Sequence, residues 1–462
     1  MYIPDSLKEI AQELNLKGAK AILVGGAVRD FLLKKEVKDY DIEVYNIFTL
    51  DELESLLKPF GAVNQVGKAF GIIKLKVGKD EYDFSIPRRE KKVGAGHKGF
   101  SVELDGSLSF KEASSRRDFT INSIGYDITS GEIIDPYSGV KDLENRVLRV
   151  VSAKTFTEDP LRVYRAAQFV ARFNLELEES SFILCKEMVK RGDLDELPKE
   201  RVYEEFKKLL LKSVKPSLGF ELMLKLGIIE RYFLELYNLT KTKQDRRWHP
   251  EGDVWIHTMM VLDKMANLSK EYSSSDRLIL LFSALCHDLG KPATTIEDNS
   301  GKISAIGHEI EGLDISVKFI EKLTNEKGLI EEVLPLVKNH LQPFIYYKNG
   351  AKNSTIRKLA TRVNIEKLIL LSRADSLGRT TEDAIKGICK ACDWLEEKAK
   401  ELNVSDKPIE PILKGRDLIN LGLEPSAKFK DILQRAYLAQ LEEKFVTKDE
   451  GLNYLKELIR EA

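Results

Sequence analysis

The sequence predicts an α+β chain, with a small mixed sheet at the N-terminal end and a long all-helical remainder. Three observations point there. Short β-type runs punctuated by turn signals are confined to residues 1–150. From about residue 155 the apolar pattern turns helical, as in Leu161 to Phe173 and Val202 to Leu211. Five of the six histidines, His249, His257, His287, His308 and His340, fall in the helical second half. At 462 residues the chain has material for roughly three domains of about 150 residues each.

The elements follow in order. Ala21-Ile22-Leu23-Val24 is an apolar run stopped by Gly25-Gly26, with a helix-compatible stretch from Val28 to Lys34. Lys38 to Val44 reads as a strand, and Ile72 to Val77 alternates apolar residues with lysine as a half-buried strand does. Tyr82 to Ile86 is a third strand candidate, ended by Pro87. The polar stretch Thr240 to Pro250 marks a junction, and Ser405 to Pro408 introduces a last helical segment. The expected division is 1–150, 151–245, 246–400 and 401–462, without internal repeats.

Charge is abundant but balanced: 73 Lys and Arg against 74 Asp and Glu leave a net of −1. That excludes a uniformly basic nucleic-acid coat, so a polyanion must be met by local patches. Lys207, Lys208, Lys212 and Lys215, with Arg246 and Arg247, are candidates for such a patch; solvated surface is the simpler account. The four cysteines suggest no disulfide framework, and Cys389 and Cys392 read as two helix-borne thiols; a reducing cytoplasm is the expected setting. The N-terminus carries no signal-peptide pattern, and no apolar run approaches the roughly 18 residues of a membrane span.

The first chemical constellation is Leu23-Val24-Gly25-Gly26-Ala27-Val28-Arg29-Asp30 followed by Lys38-Asp39-Tyr40-Asp41. A glycine turn between strand and helix lets backbone approach a phosphate, and Arg29 stands in that first helical turn. On a strand, Asp39 and Asp41 share one face, where two carboxylates repel unless a cation sits between them. Such a pair suits Mg²⁺, which takes one or two carboxylates plus substrate phosphates. Each half alone is equally a plain turn and a solvated strand edge.

Taken together the pattern resembles the head of the class II tRNA nucleotidyltransferase and bacterial poly(A) polymerase family. Arg116-Arg117-Asp118-Phe119-Thr120-Ile121-Asn122 and Glu158-Asp159-Pro160-Leu161-Arg162-Val163-Tyr164-Arg165 match two further motifs of that family. The resemblance implies an RNA 3′-hydroxyl attacking the α-phosphorus of ATP or CTP, with Asp39 and Asp41 holding Mg²⁺. It implies that Gly26 and Arg29 cradle the triphosphate, that Arg165 faces the triphosphate and that Arg117 helps hold the nucleotide. It also implies that Asp159 and Arg162, three residues apart, read the edge of C or A; Asp159 is in any case placed to cap a helix. Asp83 is a further carboxylate read as structural. One departure is Gln168, where the family commonly has another Arg. His97-Lys98-Gly99-Phe100 resembles the flexible part of the family head and is equally a surface loop.

The second constellation is His257, the adjacent His287-Asp288, and Asp375. Burying a His-Asp pair is costly unless it is paired or ligates. The pattern resembles the HD metal-dependent phosphohydrolases, and imidazole with carboxylate suits Ni²⁺, Mn²⁺, Co²⁺, Fe or Mg²⁺. His308 and His340 are candidates for a second metal site, while His249 is read as packing or capping. The resemblance extends through Lys414 to Leu441, with Glu424-Pro425-Ser426 where Pro-Gly is usual. The implied activity is template-independent CCA addition to tRNA with an appended phosphohydrolase and no membrane partner. CC-adding, A-adding, poly(A)-adding and mainly hydrolytic enzymes stay open, as does the oligomeric state.

Overall fold

The computed structural model describes residues 3–37, 39–64, 71–92 and 100–460. It divides into two compact units, Met1–Leu209 with Leu218–Ile228, and Leu210–Ser217 with Ile229–Ala462.

The first unit opens with α1 (Asp5–Leu16), β1 (Lys20–Val24), α2 (Gly26–Leu32) and β2 (Tyr40–Tyr45). It continues with β3 (Ala62–Asn64), β4 (Ile72–Val77), β5 (Asp80–Ser85) and a separate hairpin of β6 (Arg88–Lys92) and β7 (Phe100–Leu104). With β8 (Gly125–Asp127) and β9 (Ile133–Ile134), a seven-stranded sheet forms in the order β3-β4-β5-β2-β1-β8-β9. Its strands pair antiparallel except for β2 and β5, which run parallel with Asp41 beside Asp83. β1 is apolar without alternation because both its faces are covered. Ala21 and Leu23 join the core under α1, built from Leu7, Ile10 and Leu14 at helical spacing. Ile22 and Val24 pack with Phe110 and Ala113 on the opposite face.

After the sheet come α3 (Leu161–Phe173) and α4 (Lys199–Lys212). Phe119 lies edge-on to Phe156 and Phe169, and Phe206 packs against Tyr164 and Phe220. The expected span of α3 is met at both ends: Pro160 precedes it, and Asn174 closes it in the left-handed conformation.

The second unit is built on α5 (Val254–Leu268), α6 (Ser274–Cys286), α7 (His308–Glu321), α8 (Lys327–Asn339) and α9 (Ile365–Leu377). Asp253, Ser273 and Asn364 cap three of these helices by accepting backbone N–H bonds, and Leu281, Phe282, Phe319 and Leu371 fill the core between them. A separate cluster of Leu413, Leu418, Ile432, Phe445 and Leu455 closes the C-terminal end.

Two expectations are corrected. Residues 246–400 are not wholly helical: Ile296–Glu297 pairs with Ile303–Ser304 around a turn at Gly301, a hairpin too short to leave an alternating signal. Cys389 and Cys392 are not two thiols but a disulfide. Cys389 stands just ahead of the helix Lys390–Glu401 and Cys392 lies in its first turn, with Cα atoms 5.3 Å apart, within bridging range. Cys185 and Cys286 are buried thiols, both pushed up to about 12 by burial. Among the described residues no helix is long and apolar enough to cross a membrane.

Candidate active site and candidate metal centre

Asp39 lies one residue before β2 and Asp41 is its second residue. Both line an open cleft of about 570 Å³ with Lys74, Asp80, Glu81 and Asp83. The structure therefore brings the two carboxylates into one cleft at the start of β2, an inner strand flanked by β5 and β1. Cross-strand register sets Asp41 beside Asp83 and Asp83 beside Lys74, whose ammonium approaches the Asp83 carboxylate to 3.1 Å. Lys74 is shared between Asp83 and Glu81, which it meets at 2.8 Å, and Asp83 lines the same cleft as Asp39 and Asp41. Asp41 meets solvent, yet partial enclosure of its carboxyl and the adjoining Asp83 push it above the ordinary carboxylate range; Arg117 opposes this. A carboxylate cluster held against its own repulsion fits a hard divalent cation.

Sequence reasoning missed Glu43, although it continues the period-two row of Asp39 and Asp41. Glu43 is buried and accepts from Arg117 at 2.9 Å and Arg116 at 3.4 Å. Burial alone would raise its carboxyl, but the two guanidiniums hold it below the usual range. Glu43 fixes Arg117 against the glycine turn: Gly25, with φ of +70°, lies so close that an added Cβ would stand 3.1 Å from the Arg117 guanidinium.

Arg29 and Arg165 are placed differently from the expectation that they face the triphosphate. Arg29 is 5% exposed, donates to Asn122 at 2.6 Å and pairs with Asp30 at 2.7 Å. Asn122 in turn donates to Asp118, which also takes Arg165 at 2.7 Å. Burial pushes Asp118 up, and Arg165 with the Asn122 bond brings it below the ordinary value. Arg29, Asn122, Asp118 and Arg165 thus form one buried chain of charge-assisted bonds. Gly26 begins α2 beside Arg29.

Asp159 accepts from the Leu161 amide at 3.3 Å and from Arg201 at 3.0 Å, but Pro160, not Asp159, takes the cap position of the helix. Arg162 donates to the Thr155 and Arg116 carbonyls at 2.8 and 2.7 Å, which locks its guanidinium plane. Arg201 is the second missed residue; it lies on α4 four residues before Glu205, whose carboxylate approaches Arg165 to 3.8 Å. Gln168 is buried with its amide nitrogen unpartnered. Lys207 and Lys208 pair with Glu204 and Glu205. The side chains of the His97 to Phe100 segment lie outside the described residues.

In the second unit the histidines converge. His257 lies on α5, His287 directly follows α6, His308 opens α7, His340 follows α8 and Asp375 lies on α9. The His-Asp pair is thus at a helix end, not inside one. His257 Nε2 stands 3.1 Å from Asp375, His287 Nε2 3.1 Å from Asp288, and His308 Nε2 3.2 Å from His340 Nε2 and 3.3 Å from Asp288. Among the described residues three sets of three lie within ligating distance of each other: His257 with His287 and Asp375, Asp288 with His308 and His340, and His249 with Glu251 and His257, so His249, expected to pack or cap, stands beside the cluster as well. His287, His308 and His340 each turn Nδ1 to the carbonyl three residues back, Ala284, Ala305 and Val337. That fixes the tautomer and leaves the Nε2 lone pairs inside the cluster, as metal-ligating histidines require. His287 Nε2 is buried and meets only the adjacent Asp288 carboxylate, and three imidazole nitrogens face two buried carboxylates, so the residues present fit a metal ion. Burial among neighbouring imidazoles lowers His340 to about 3, while Asp288 more than offsets the effect of burial on His308 and raises it.

Around this set, Arg379 pairs with Asp375 at 2.9 Å and Lys291 with Asp288 at 2.7 Å. Gly290 packs where a Cβ would meet the His308 carbonyl at 2.1 Å, so the His-Asp-Leu-Gly turn admits no side chain there. His249 bonds Glu251 at 2.9 Å and Glu251 bonds His257 at 3.0 Å. Glu251, two residues beyond His249, was missed by sequence reasoning.

A carboxylate site on a small mixed sheet, followed by a helical unit with an imidazole centre, defines a nucleotidyltransferase-type head joined to an HD-type domain. The family model of the poly A polymerase head domain matches residues 21–149, that of the probable RNA- and SrmB-binding site of polymerase A residues 174–239, and that of the HD domain residues 254–380. The Multifunctional CCA protein of Mannheimia succiniciproducens is 34% identical over 368 residues, 78% of this chain and 84% of that one. The chain belongs to the CCA-adding enzyme family, whose head and HD domains are metal-dependent. The Bacillus stearothermophilus CCA-adding enzyme, solved with CTP, shares the fold at TM-score 0.66 and 20% identity, covering 100% of this chain and 99% of that one. The Thermotoga maritima CCA-adding enzyme, solved with tRNA, does so at TM-score 0.62 and 18% identity, covering 99% and 96%.

Proposed function

We propose that this chain adds C, C and A from CTP and ATP to tRNA 3′ ends without a template, and that its HD unit is a separate metal-dependent phosphohydrolase. The observation that carries the reading is the pair Asp39 and Asp41 in one cleft, in a chain related over most of its length to a Multifunctional CCA protein. Asp39 and Asp41 hold Mg²⁺, which supplies charge neutralisation for the attacking hydroxyl and the departing pyrophosphate. Gly26 and Arg117 take the triphosphate side of the nucleotide. Arg29 and Arg165 stiffen that wall through Asn122 and Asp118.

Asp159 and Arg162 present the remaining carboxylate lone pair and guanidinium donors to the base edge. A carboxylate accepts from the exocyclic amine of C or A, whereas G and U offer a carbonyl there and would leave buried groups unpaired. Arg201 keeps the Asp159 carboxylate in position. In the HD unit, His257, His287, Asp288 and Asp375 hold the principal ion and His308 and His340 extend the set, with Ni²⁺, Mn²⁺ or Co²⁺ the matching metals. Four working segments follow: a catalytic head at 1–150, a nucleotide-selecting neck and RNA-binding body at 151–245, the HD domain at 246–400 and a tail at 401–462. A cytoplasmic site of action goes with tRNA as substrate.

The test is stepwise. Purified protein is given CTP and ATP with transcripts ending before the first C, before the second C and before A. Incorporation of C, C and then A, stopping there, is the expected result. Long A tails on unrelated RNA would replace the reading with a poly(A) polymerase, and addition of only C or only A would narrow it. A mainly hydrolytic enzyme is the second reading, favoured by the completeness of the imidazole cluster; it requires that Asp39→Ala leave the principal activity intact.

A further inference from the structure

Along β2, Ile42 and Val44 enter the core beneath α1, while Asp41, Glu43 and Tyr45 belong to the other face, where Tyr45 joins Ile22 and Phe110. Glu43 sits on this inner strand at 2% exposure, between Ile22 of β1 and Ser85 of β5. An apolar side chain would be the less costly occupant, since a buried carboxylate gives up its hydration. Three donors meet it instead. The Tyr45 hydroxyl donates to Oε2 at 2.9 Å, and Arg116 and Arg117 both donate to Oε1, at 3.4 and 2.9 Å.

Two consecutive residues thus close on one carboxylate oxygen, and the peptide group between them is clamped from both sides. Its carbonyl, that of Arg116, accepts from Arg162 Nη2 at 2.7 Å, while Arg162 Nη1 is anchored on the Thr155 carbonyl at 2.8 Å. On the other side of the clamp Arg117 is 20% exposed beside the Gly25 turn and keeps a buried Nε without a hydrogen-bond partner. One carboxylate therefore reaches both ends of the nucleotide site, Arg117 directly and Arg162 through the 116–117 peptide.

We propose that Glu43 is a positioning residue that sets triphosphate binding and base selection together. The inference rests on the roles given above to Arg117 and Arg162. Glu43 acts through these arginines and not on the nucleotide. A neutral group in its place holds two guanidiniums less firmly, because the charge-assisted bonds are gone. Arg117 then meets the phosphates less often, and Arg162 loses the plane in which its donors meet the base edge. U and G, which present a carbonyl where C and A present an amine, are rejected less strongly. The Asp39 and Asp41 pair, and with it the transfer step, is left as it is.

The experiment compares the full chain with Glu43→Gln, which keeps the volume and removes the charge. Tyr45→Phe is the second variant; it removes only the donor to Oε2 and leaves both arginine bonds. KM and kcat for CTP and ATP are measured on transcripts ending before the first C and before A, together with UTP incorporation in place of CTP and the thermal midpoint. In Glu43→Gln the KM for CTP and ATP should rise about tenfold with kcat within about twofold of wild type. The preference for CTP over UTP should fall about tenfold alongside. Tyr45→Phe should move both readouts the same way and by less, and it decides the matter if Glu43→Gln does not fold. A lower midpoint or kcat with unchanged KM and unchanged CTP preference would overturn the proposal and leave Glu43 an ion pair of the fold. A rise in KM without any loss of CTP preference would overturn it too, since the two ends would then be uncoupled. Wild-type protein that adds neither C nor A removes the roles of Arg117 and Arg162, and the inference with them; normal wild-type addition with unaltered variants sinks the inference alone.

Discussion

Asp39 and Asp41 stand at the solvent edge of a strand among other carboxylates, whereas His257, His287, Asp288 and Asp375 are sealed between helices at 2% exposure or less. The carboxylates repel one another, and hydrated Mg²⁺ adds little to them until substrate phosphates complete its coordination. The imidazole cluster is oriented before any ion arrives, because backbone carbonyls hold Nδ1 of His287, His308 and His340. On the proposed reading, the first arrangement would let metal come and go with each nucleotide, and the second would commit the fold to an ion and make an empty centre expensive.

If the two centres are independent, substitutions should dissociate them, and this is the largest effect expected. Asp41→Ala should lower CCA addition by about a thousandfold while leaving p-nitrophenyl phosphate hydrolysis unchanged; Asp288→Ala should do the reverse. A single substitution that abolished both activities would break the comparison. Next in size is metal retention. After gel filtration in metal-free buffer, elemental analysis should find transition metal bound and Mg²⁺ absent. Adding Ni²⁺ or Mn²⁺ at about a hundred times its dissociation constant to the stripped protein should stabilise it by about 2.7 kcal/mol, whereas Mg²⁺ alone should move thermal unfolding little.

A smaller effect separates the centres by pH. His340 is held near 3 against an ordinary value of 6.5, so below pH 6.5 the unfolded chain binds the proton that the folded chain refuses. Its contribution to stability is whole above pH 6.5 and is lost progressively as pH falls toward about 3. The slope is at most about 1.4 kcal/mol per pH unit. His308, raised by Asp288, opposes this: its contribution is whole below 6.5 and is lost as pH rises through its elevated value. Urea unfolding of the stripped protein between pH 4 and 7 should therefore show a flatter acid limb in His340→Asn than in wild type. An identical limb would mean that His340 is not a buried neutral imidazole.

Legibility from sequence followed the same divide. The strand at 72–77, the helix at 161–173 and the Asp39/Asp41 pair were readable because period, punctuation and charge are local. Glu43, Arg201 and Glu251 were not, since each matters through a partner far along the chain or across a turn: Arg117, Asp159 and His257. Arg29 and Arg165 were assigned to phosphate on motif position alone, whereas their guanidiniums are taken up by Asn122, Asp30 and Asp118. A charge in a motif signals that an anion is near without saying whether that anion is ligand or protein. The Cys389–Cys392 bond escaped because helical spacing of two cysteines is equally compatible with separate thiols.

The smallest expected effect bears most directly on the open carboxylate site. Asp41 is raised by partial enclosure and by Asp83, with Asp39 and Glu43 adding to the push, so the folded state binds its proton more tightly than the unfolded chain does. A raised folded value means stability that is present at low pH and lost as pH climbs through the raised value, leaving the ionised site a net cost at neutral pH. Asp41→Asn removes that charge without removing volume. It should therefore raise the thermal midpoint of the metal-free protein at pH 7 by a small amount, below about 1 kcal/mol given its solvent contact, and the gain should vanish near pH 4. The same substitution should eliminate nucleotide addition, so that stability and activity move in opposite directions, as expected where a fold tolerates strain to seat a cation. A drop in the midpoint would show instead that Asp41 contributes to the sheet at the start of β2, and that the site is held open by something other than its own repulsion.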